Sequence, residues 1–289
     1  MMAAMMSVCN PGDKVVIFSP FYENYGADTI LSGAEPVYVP LKPPAFTFDA
    51  DQLEQAVKQS GVKALILCNP SNPCGKVFTR EELNLIAEIA IKYDIYVITD
   101  EVYEHIVYKP NIHICMATLP GMRERTIICN SLSKTYSITG WRLGFVMASP
   151  EITDRVKKVH DFLTVGAAAP LMEAAVVGLQ FPDSYYEELR GHYTHMKNLF
   201  TDGLREIGLQ FTNPQGAYYV LVDISEFGFE SDLVFCEELA RKVGVGAVPG
   251  SSFFKEPENR YIRFHFAKRD ETLQEALGRL ADIYSKMKK

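Results

Sequence analysis

No Lys/Arg-rich block runs through the sequence, apart from a short tail at Lys286, Lys288 and Lys289. Lys plus Arg is 29 against 36 Asp plus Glu, a formal net charge of -7. Nucleic-acid binding relies on concentrated positive charge, so no nucleic-acid partner is expected. Long apolar runs are also missing. The longest, residues 64–68 and 96–99, are strand-sized and far short of the ~20 residues of a membrane span. The opening MMAAMMSVC is apolar but has neither a basic leader nor a long hydrophobic region, so no secretory signal is expected and no membrane partner either. Six cysteines show no Cys-x-x-Cys and no paired metal-ligand spacing, and the six histidines are scattered. His192 and His195 share a helical pattern at i, i+3 with no acidic or cysteine partner nearby in sequence, and are read as solvated. No metal is expected, and reduced cysteines point to the cytoplasm.

What is present is an alternation of short apolar runs and helical patterns. Strands are expected at 14–19, 36–40, 63–68, 96–100, 126–130 and 144–148, several of them apolar throughout, as strands buried on both faces are. Helices are expected at 51–60 and 81–93. The second is announced by Thr79-Arg80-Glu81-Glu82, a capping box. This order predicts an α/β fold with a mainly parallel, doubly wound sheet. From Pro150 the pattern turns helical, at 151–162, 170–180 and 184–207, with a break at Phe181-Pro182-Asp183. The remainder mixes strands at 217–223 and 261–267 with helices at 231–243 and 270–286, a smaller α+β domain. The expected division is 1–182 and 183–289.

Chemistry concentrates in a few segments. Residues 131–144, SLSKTYSITGWRLG, set Lys134 among small hydroxyl residues, with Arg142 eight positions on. Hydroxyls and a guanidinium suit a phosphate, and a lysine beside a phosphate ester suggests Schiff-base chemistry with a phosphorylated aldehyde cofactor. Taken alone, the segment also reads as a polar loop with a surface lysine. Asn69-Pro-Ser-Asn-Pro-Cys-Gly75 follows a buried strand, at the end where ligands sit in open α/β sheets; alone it is a turn. Asp100 ends the next strand and Tyr103 follows. A buried acid there needs a cation or several donors, although a helix cap is the commoner role. Ser19-Pro-Phe-Tyr-Glu-Asn-Tyr25 offers Phe21 or Tyr22 as a flat face, or simply as core. In Tyr261-Ile-Arg-Phe-His-Phe-Ala267, Arg263 falls on one face of an apolar strand, either as an edge residue or aimed at an anion such as a carboxylate.

Together, in this order, the segments resemble the class I/II aminotransferases of the fold-type I pyridoxal-phosphate (PLP) enzymes, over essentially all 289 residues. The resemblance implies an enzyme that moves an amino group between an α-amino acid and a 2-oxo acid via a Lys134 Schiff base to PLP. It implies that Lys134 shuttles the substrate proton, that Asp100 pairs with the pyridinium nitrogen, and that Asn72 and Tyr103 hydrogen-bond the phenolic oxygen. Ser131, Ser133 and Arg142 would hold the phosphate, Tyr22 would stack on the ring, and Arg263 would bind the substrate carboxylate. The family also implies a homodimer. A PLP-dependent C–S or β/γ-lyase would use the same constellation.

The family pattern further implies that some ninety to a hundred residues would precede this start, including the Gly/Ser/Thr turn that cradles the cofactor phosphate. On that expectation the 144–148 strand becomes a sheet edge, PLP binding weakens, and a non-catalytic remnant is a further alternative.

Overall fold

In β1 (Lys14–Ser19), Val15 and Ile17 face one side of the sheet and Val16 and Phe18 the other. In β3 (Val62–Cys68), Ala64 and Ile66 alternate in the same way with Leu65 and Leu67. Successive side chains alternate across a strand, so a strand apolar on both faces must be covered on both. The computed structural model describes residues 1–288, and in it that cover is complete. On one face, α1 (Met2–Val8), α2 (Asn24–Leu31) and α6 (Pro150–Thr164) bury Met5, Tyr25, Ile152 and Val156 against Val15, Ile17 and Ile66. On the other, α3 (Ala50–Val57) and α4 (Arg80–Lys92) bury Leu53, Leu83 and Ile86 against Val16, Phe18 and Leu65.

The strands form one six-stranded sheet, ordered β2 (Glu35–Pro40), β1, β3, β4 (Tyr96–Asp100), β5 (Thr126–Ser131), β6 (Gly144–Met147). All neighbours are parallel except β5 and β6, so the mainly parallel, doubly wound α/β sheet is what forms. β6 is an outer strand, as expected for 144–148. The strand order reverses between β1 and β3, and such a switch point opens a crevice at the carboxyl ends of the strands. Helix α4 starts with the expected capping box: Glu82 N–H donates to Thr79 Oγ1, and Thr79 N–H donates to the Glu82 carboxylate. Helix α3 is shorter than expected and is capped by Asp49, which accepts from the backbone of Asp51 and Gln52.

After the short α5 (Leu132–Thr135), α6 and α7 (Ala169–Leu179), the 25-residue α8 (Asp183–Ile207) ends at Gly208. That glycine sits at φ +96°, the left-handed conformation that closes helices without a Cβ penalty. A second, antiparallel sheet follows, ordered β7 (Tyr219–Asp223), β9 (Tyr261–His265), β8 (Val248–Pro249). Tyr193, Met196, Phe200 and Leu204 of α8, spaced by three and four, pack on its Val220, Val222, Ile262 and Phe264. The alternate residues Leu221 and Tyr261 belong to the core of the large sheet, so the small sheet is seated on the large one through its other face.

Two expected helices are interrupted. The one at 231–243 is α9 (Asp232–Glu238) followed by a wider turn over Leu239–Val243, and the one at 270–286 divides into α10 (Asp270–Leu280) and α11 (Ile283–Met287). Among the described residues no helix is long and apolar enough to cross a membrane.

Candidate active site

The carboxyl ends of β1, β3, β4 and β5 converge on one cleft of about 380 Å³, lined by Tyr22, Asn72, Asp100, Tyr103, Ser131, Ser133, Lys134 and Arg142. Each strand delivers its part at its last residue or just beyond, because a parallel sheet aligns these ends. After β3, the turn at 69–75 is tied to β4 by Asn69 N–H donating to the Asp100 carbonyl (3.0 Å). Asn69 Oδ1 also accepts from Phe78 N–H at 3.1 Å. The turn is clamped by the segment that leads into β7, where Gln215 and Gly216 N–H both donate to the Gly75 carbonyl at 2.9 Å. Gly75 sits at φ +69°, and a Cβ there would lie 3.1 Å from the Gly216 carbonyl, so only glycine fits this approach.

Asp100 lies in the cleft, half-buried. Tyr25 donates to Oδ2 at 2.6 Å and Val102 N–H to Oδ1 at 3.3 Å. Burial pushes the Asp100 carboxyl above its ordinary range, and these two hydrogen bonds pull it back. Burial and the adjacent carboxylate also drive the Tyr25 hydroxyl well above the usual phenol range, so it stays a donor. Tyr22 meets Tyr25 edge-on, ring centroids 5.7 Å apart.

At the end of β5, Ser131 Oγ donates to Ser133 Oγ at 2.7 Å and accepts from Ser133 N–H at 3.1 Å. Ser131 N–H is held in turn by Asn130 Oδ1 (2.7 Å), and the Asn130 amide donates to Glu104 at 2.6 Å. Arg142, at φ +56°, spends one guanidinium N–H on the Thr139 carbonyl (2.8 Å) and is otherwise exposed. The Lys134 ammonium lies 5.7 Å from the Tyr218 ring centroid and has no carboxylate partner among the described residues. Tyr103 faces Tyr219, hydroxyl to hydroxyl at 2.9 Å. Arg263 joins the group through Asn72, donating to its Oδ1 at 2.7 Å.

All nine candidate residues are thus brought together, eight lining the cleft and Arg263 bonded to one of the eight. Sequence reasoning missed Tyr25, Asn130, Tyr218 and Tyr219. Tyr25 lay inside a segment already singled out. For Tyr218 and Tyr219 the only signal was their adjacency at the head of an otherwise aliphatic run. His195 is exposed, as read from the sequence, and also has a distant acidic partner, Asp270 of α10, at 2.7 Å. Seventy-five positions separate them, so the pair is invisible to local sequence.

The donor set fits PLP. Asp100, held up by burial, suits the N–H of a pyridinium; two serine hydroxyls and Arg142 suit a phosphate; and an unpaired ammonium between them suits an aldehyde.

Comparison with known proteins agrees. The family model described as aminotransferase class I and II matches residues 1–280. The putative aminotransferase YugH of Bacillus subtilis is 39% identical over 96% of this chain and 71% of its own length. Human kynurenine–oxoglutarate transaminase 1 is 34% identical over 94% of this chain and 72% of its own length. The solved structure of N-succinyldiaminopimelate aminotransferase from Mycobacterium tuberculosis superposes with a TM-score of 0.93 at 37% identity, covering 97% of this chain and 74% of that one. With sequence, fold and cleft in agreement, the chain belongs to the class I and II aminotransferases, which are PLP-dependent enzymes.

Proposed function

We propose that the protein moves an amino group between an α-amino acid and a 2-oxo acid, with Lys134 as the lysine that joins PLP. The observation that carries this reading is the position of the Lys134 ammonium. It has no ion pair among the described residues, and it shares one cleft with the Ser131–Ser133–Arg142 set and with Asp100.

When bound, PLP supplies an electron sink for the pair released as the substrate Cα–H bond breaks. The protein holds and orients. Asp100 would keep the ring nitrogen protonated, and Ser131, Ser133 and Arg142 would bind the phosphate. Tyr22 would cover the ring. Asn72 has its Oδ1 occupied by Arg263, which leaves its amide N–H groups to donate, with Tyr103, to the phenolic oxygen. Arg263 would bind the substrate α-carboxylate through its planar fork, and Lys134 Nζ would take the proton from the substrate Cα. Fixing these groups before substrate arrives is the protein's share of the rate enhancement.

Borohydride reduction of the PLP-treated protein, followed by peptide mass analysis, tests the assignment. Cofactor fixed to Lys134 supports it, and cofactor left free in solution refutes it. Turnover should produce the new amino acid and the new oxo acid in equal amounts. Ammonia released without an acceptor would indicate elimination instead.

We also propose a homodimer in the cytoplasm. The dimer reading draws on α7, which is apolar apart from Glu173 yet buries only Ala175, while Val177 and Leu179 are exposed, as is Phe162 on α6. The cytoplasmic reading draws on the six unpaired cysteines. The division at 182/183 remains our proposal, supported by α8 opening at Asp183 and by the small sheet lying wholly after it.

A further inference from the structure

Tyr219 stands directly opposite His265 in the β7–β9 ladder, one alternation from the Leu221–Arg263 pair on the same face. Its hydroxyl is 2.9 Å from that of Tyr103, and its ring carries the Arg263 guanidinium at 4.4 Å. The Phe253 ring also carries the guanidinium, at 4.2 Å. One side chain therefore touches both the tyrosine that lines the cleft and the arginine bonded to Asn72. We infer that Tyr219 is a positioning residue with two separable parts, a hydroxyl that orients the Tyr103 proton and a ring that fixes Arg263. The inference rests on the assignment of the cleft made above.

Burial holds both phenols far above the ordinary range, so both remain neutral through the working range of pH. Two neutral phenols facing each other place only one of their two hydroxyl hydrogens between the oxygens. When Tyr219 donates, the Tyr103 hydrogen is left free to turn toward an oxygen acceptor in the cleft. Without the Tyr219 hydroxyl, Tyr103 keeps only the neighbouring Tyr218 hydroxyl as a phenol partner, and the orientation of its O–H must be set again during the reaction. Donors aimed in advance are worth more than donors that must reorganise.

The Tyr219 ring acts on Arg263. That arginine has no carboxylate partner among the described residues and is held by two aromatic faces and the Asn72 amide. Aromatic faces restrain a guanidinium without neutralising it, so the charge stays available to an incoming carboxylate. Phenylalanine would preserve this contact and the edge-on packing of Tyr103 on Tyr219 (ring centroids 5.8 Å apart). The hydroxyl is therefore needed for its hydrogen bonds to Tyr103 and Tyr218 and not for the contact with Arg263.

The test compares Tyr219→Phe with Tyr219→Leu. In the PLP-loaded enzyme, Tyr219→Phe should lower kcat about tenfold, the size of one lost oriented hydrogen bond, and leave KM for the amino acid within about twofold. It should also move the pH midpoint of the visible absorbance of the PLP complex. Added to Tyr103→Phe, it should have no further effect. In the cofactor-free protein, calorimetric titration with 2-oxoglutarate should give wild-type affinity for Tyr219→Phe and about tenfold weaker binding for Tyr219→Leu. A Tyr219→Phe enzyme equal to wild type in kcat and spectrum overturns the inference. So does an undiminished effect in the Tyr103→Phe background, or equal 2-oxoglutarate binding by the two Tyr219 variants. Wild-type protein that cannot be trapped on Lys134 overturns the cleft assignment itself, a result distinct from any of these.

Discussion

Arg263 Nη1 donates to Asn72 Oδ1 at 2.7 Å, a bond between the small sheet and the turn after β3 that joins residues 191 positions apart. An arginine here offers two parallel N–H donors to a carboxylate while keeping a third for Asn72, and a lysine has neither the fork nor the flat face. Arg263→Lys should therefore raise KM for the amino acid by about 2 kcal/mol equivalent, some thirtyfold, while PLP affinity changes little. Steady-state kinetics together with a cofactor titration check this. An unchanged KM would remove Arg263 from the substrate site.

Asp100 sets function against stability. Its carboxyl is pushed above the ordinary value of 3.8, chiefly by burial, so between that value and its raised one the folded protein binds more protons than the unfolded chain. Stability is then fully present below about 3.8 and falls as pH rises through the raised value. Asp100→Asn removes this loss and keeps an acceptor for Tyr25. The cofactor-free variant should unfold at higher urea concentration than the parent at neutral pH, with the difference shrinking toward pH 4, and should be inactive with PLP. Urea titrations at several pH values decide the matter; a gap that widens on acidification would contradict the sign.

Much of this was legible in the sequence because the chemistry sits at strand ends. Asp100, Ser131 and the turn after Cys68 each follow an apolar run whose length and bounds are plain, and Thr79 with Glu82 is a local signal for a local structure. The parts that were not legible depend on tertiary contact. Tyr25 reaches Asp100 from 75 positions away and Tyr219 reaches Tyr103 from 116, so no periodicity couples them. Helix α2 was missed for a different reason: Gly26 and Thr29 are poor helix formers, and Ile30 and Leu31 point outward, so its apolar stripe is disguised. Tertiary packing of Tyr25 and Thr29 holds it in place.

Gly144 pairs with Ser131 across the β5–β6 ladder. A Cβ at this position would stand 2.6 Å from the Asn130 carbonyl, a backbone atom that cannot move alone. Gly144→Ala should cost about 1–3 kcal/mol and weaken PLP binding, because the displaced strand carries Ser131. Gly140 has nothing within 4 Å of its would-be Cβ and serves as the control. Denaturant midpoints and PLP titrations of the two variants should differ sharply; equal behaviour would show that β6 can shift without disturbing the serine turn.

Asn130 provides the most selective test of the phosphate assignment. Its amide oxygen fixes Ser131 N–H at 2.7 Å and its amide nitrogen is bonded to Glu104 at 2.6 Å, so the pair anchors the turn on which the Ser131 and Ser133 hydroxyls stand. Asn130→Ala removes both bonds and leaves Glu104 without this donor, at a cost of about 1–3 kcal/mol. If the turn binds a phosphate, the loss falls on ligands that carry one. PLP affinity should drop about tenfold or more, whereas pyridoxal, identical except for the phosphate, should bind the variant and the parent alike. Titration of both ligands, followed through quenching of Trp141, the only tryptophan and the neighbour of Arg142, gives the comparison. Equal losses for the two ligands would place the effect on the ring or on overall stability, and would detach Ser131 and Ser133 from the phosphate.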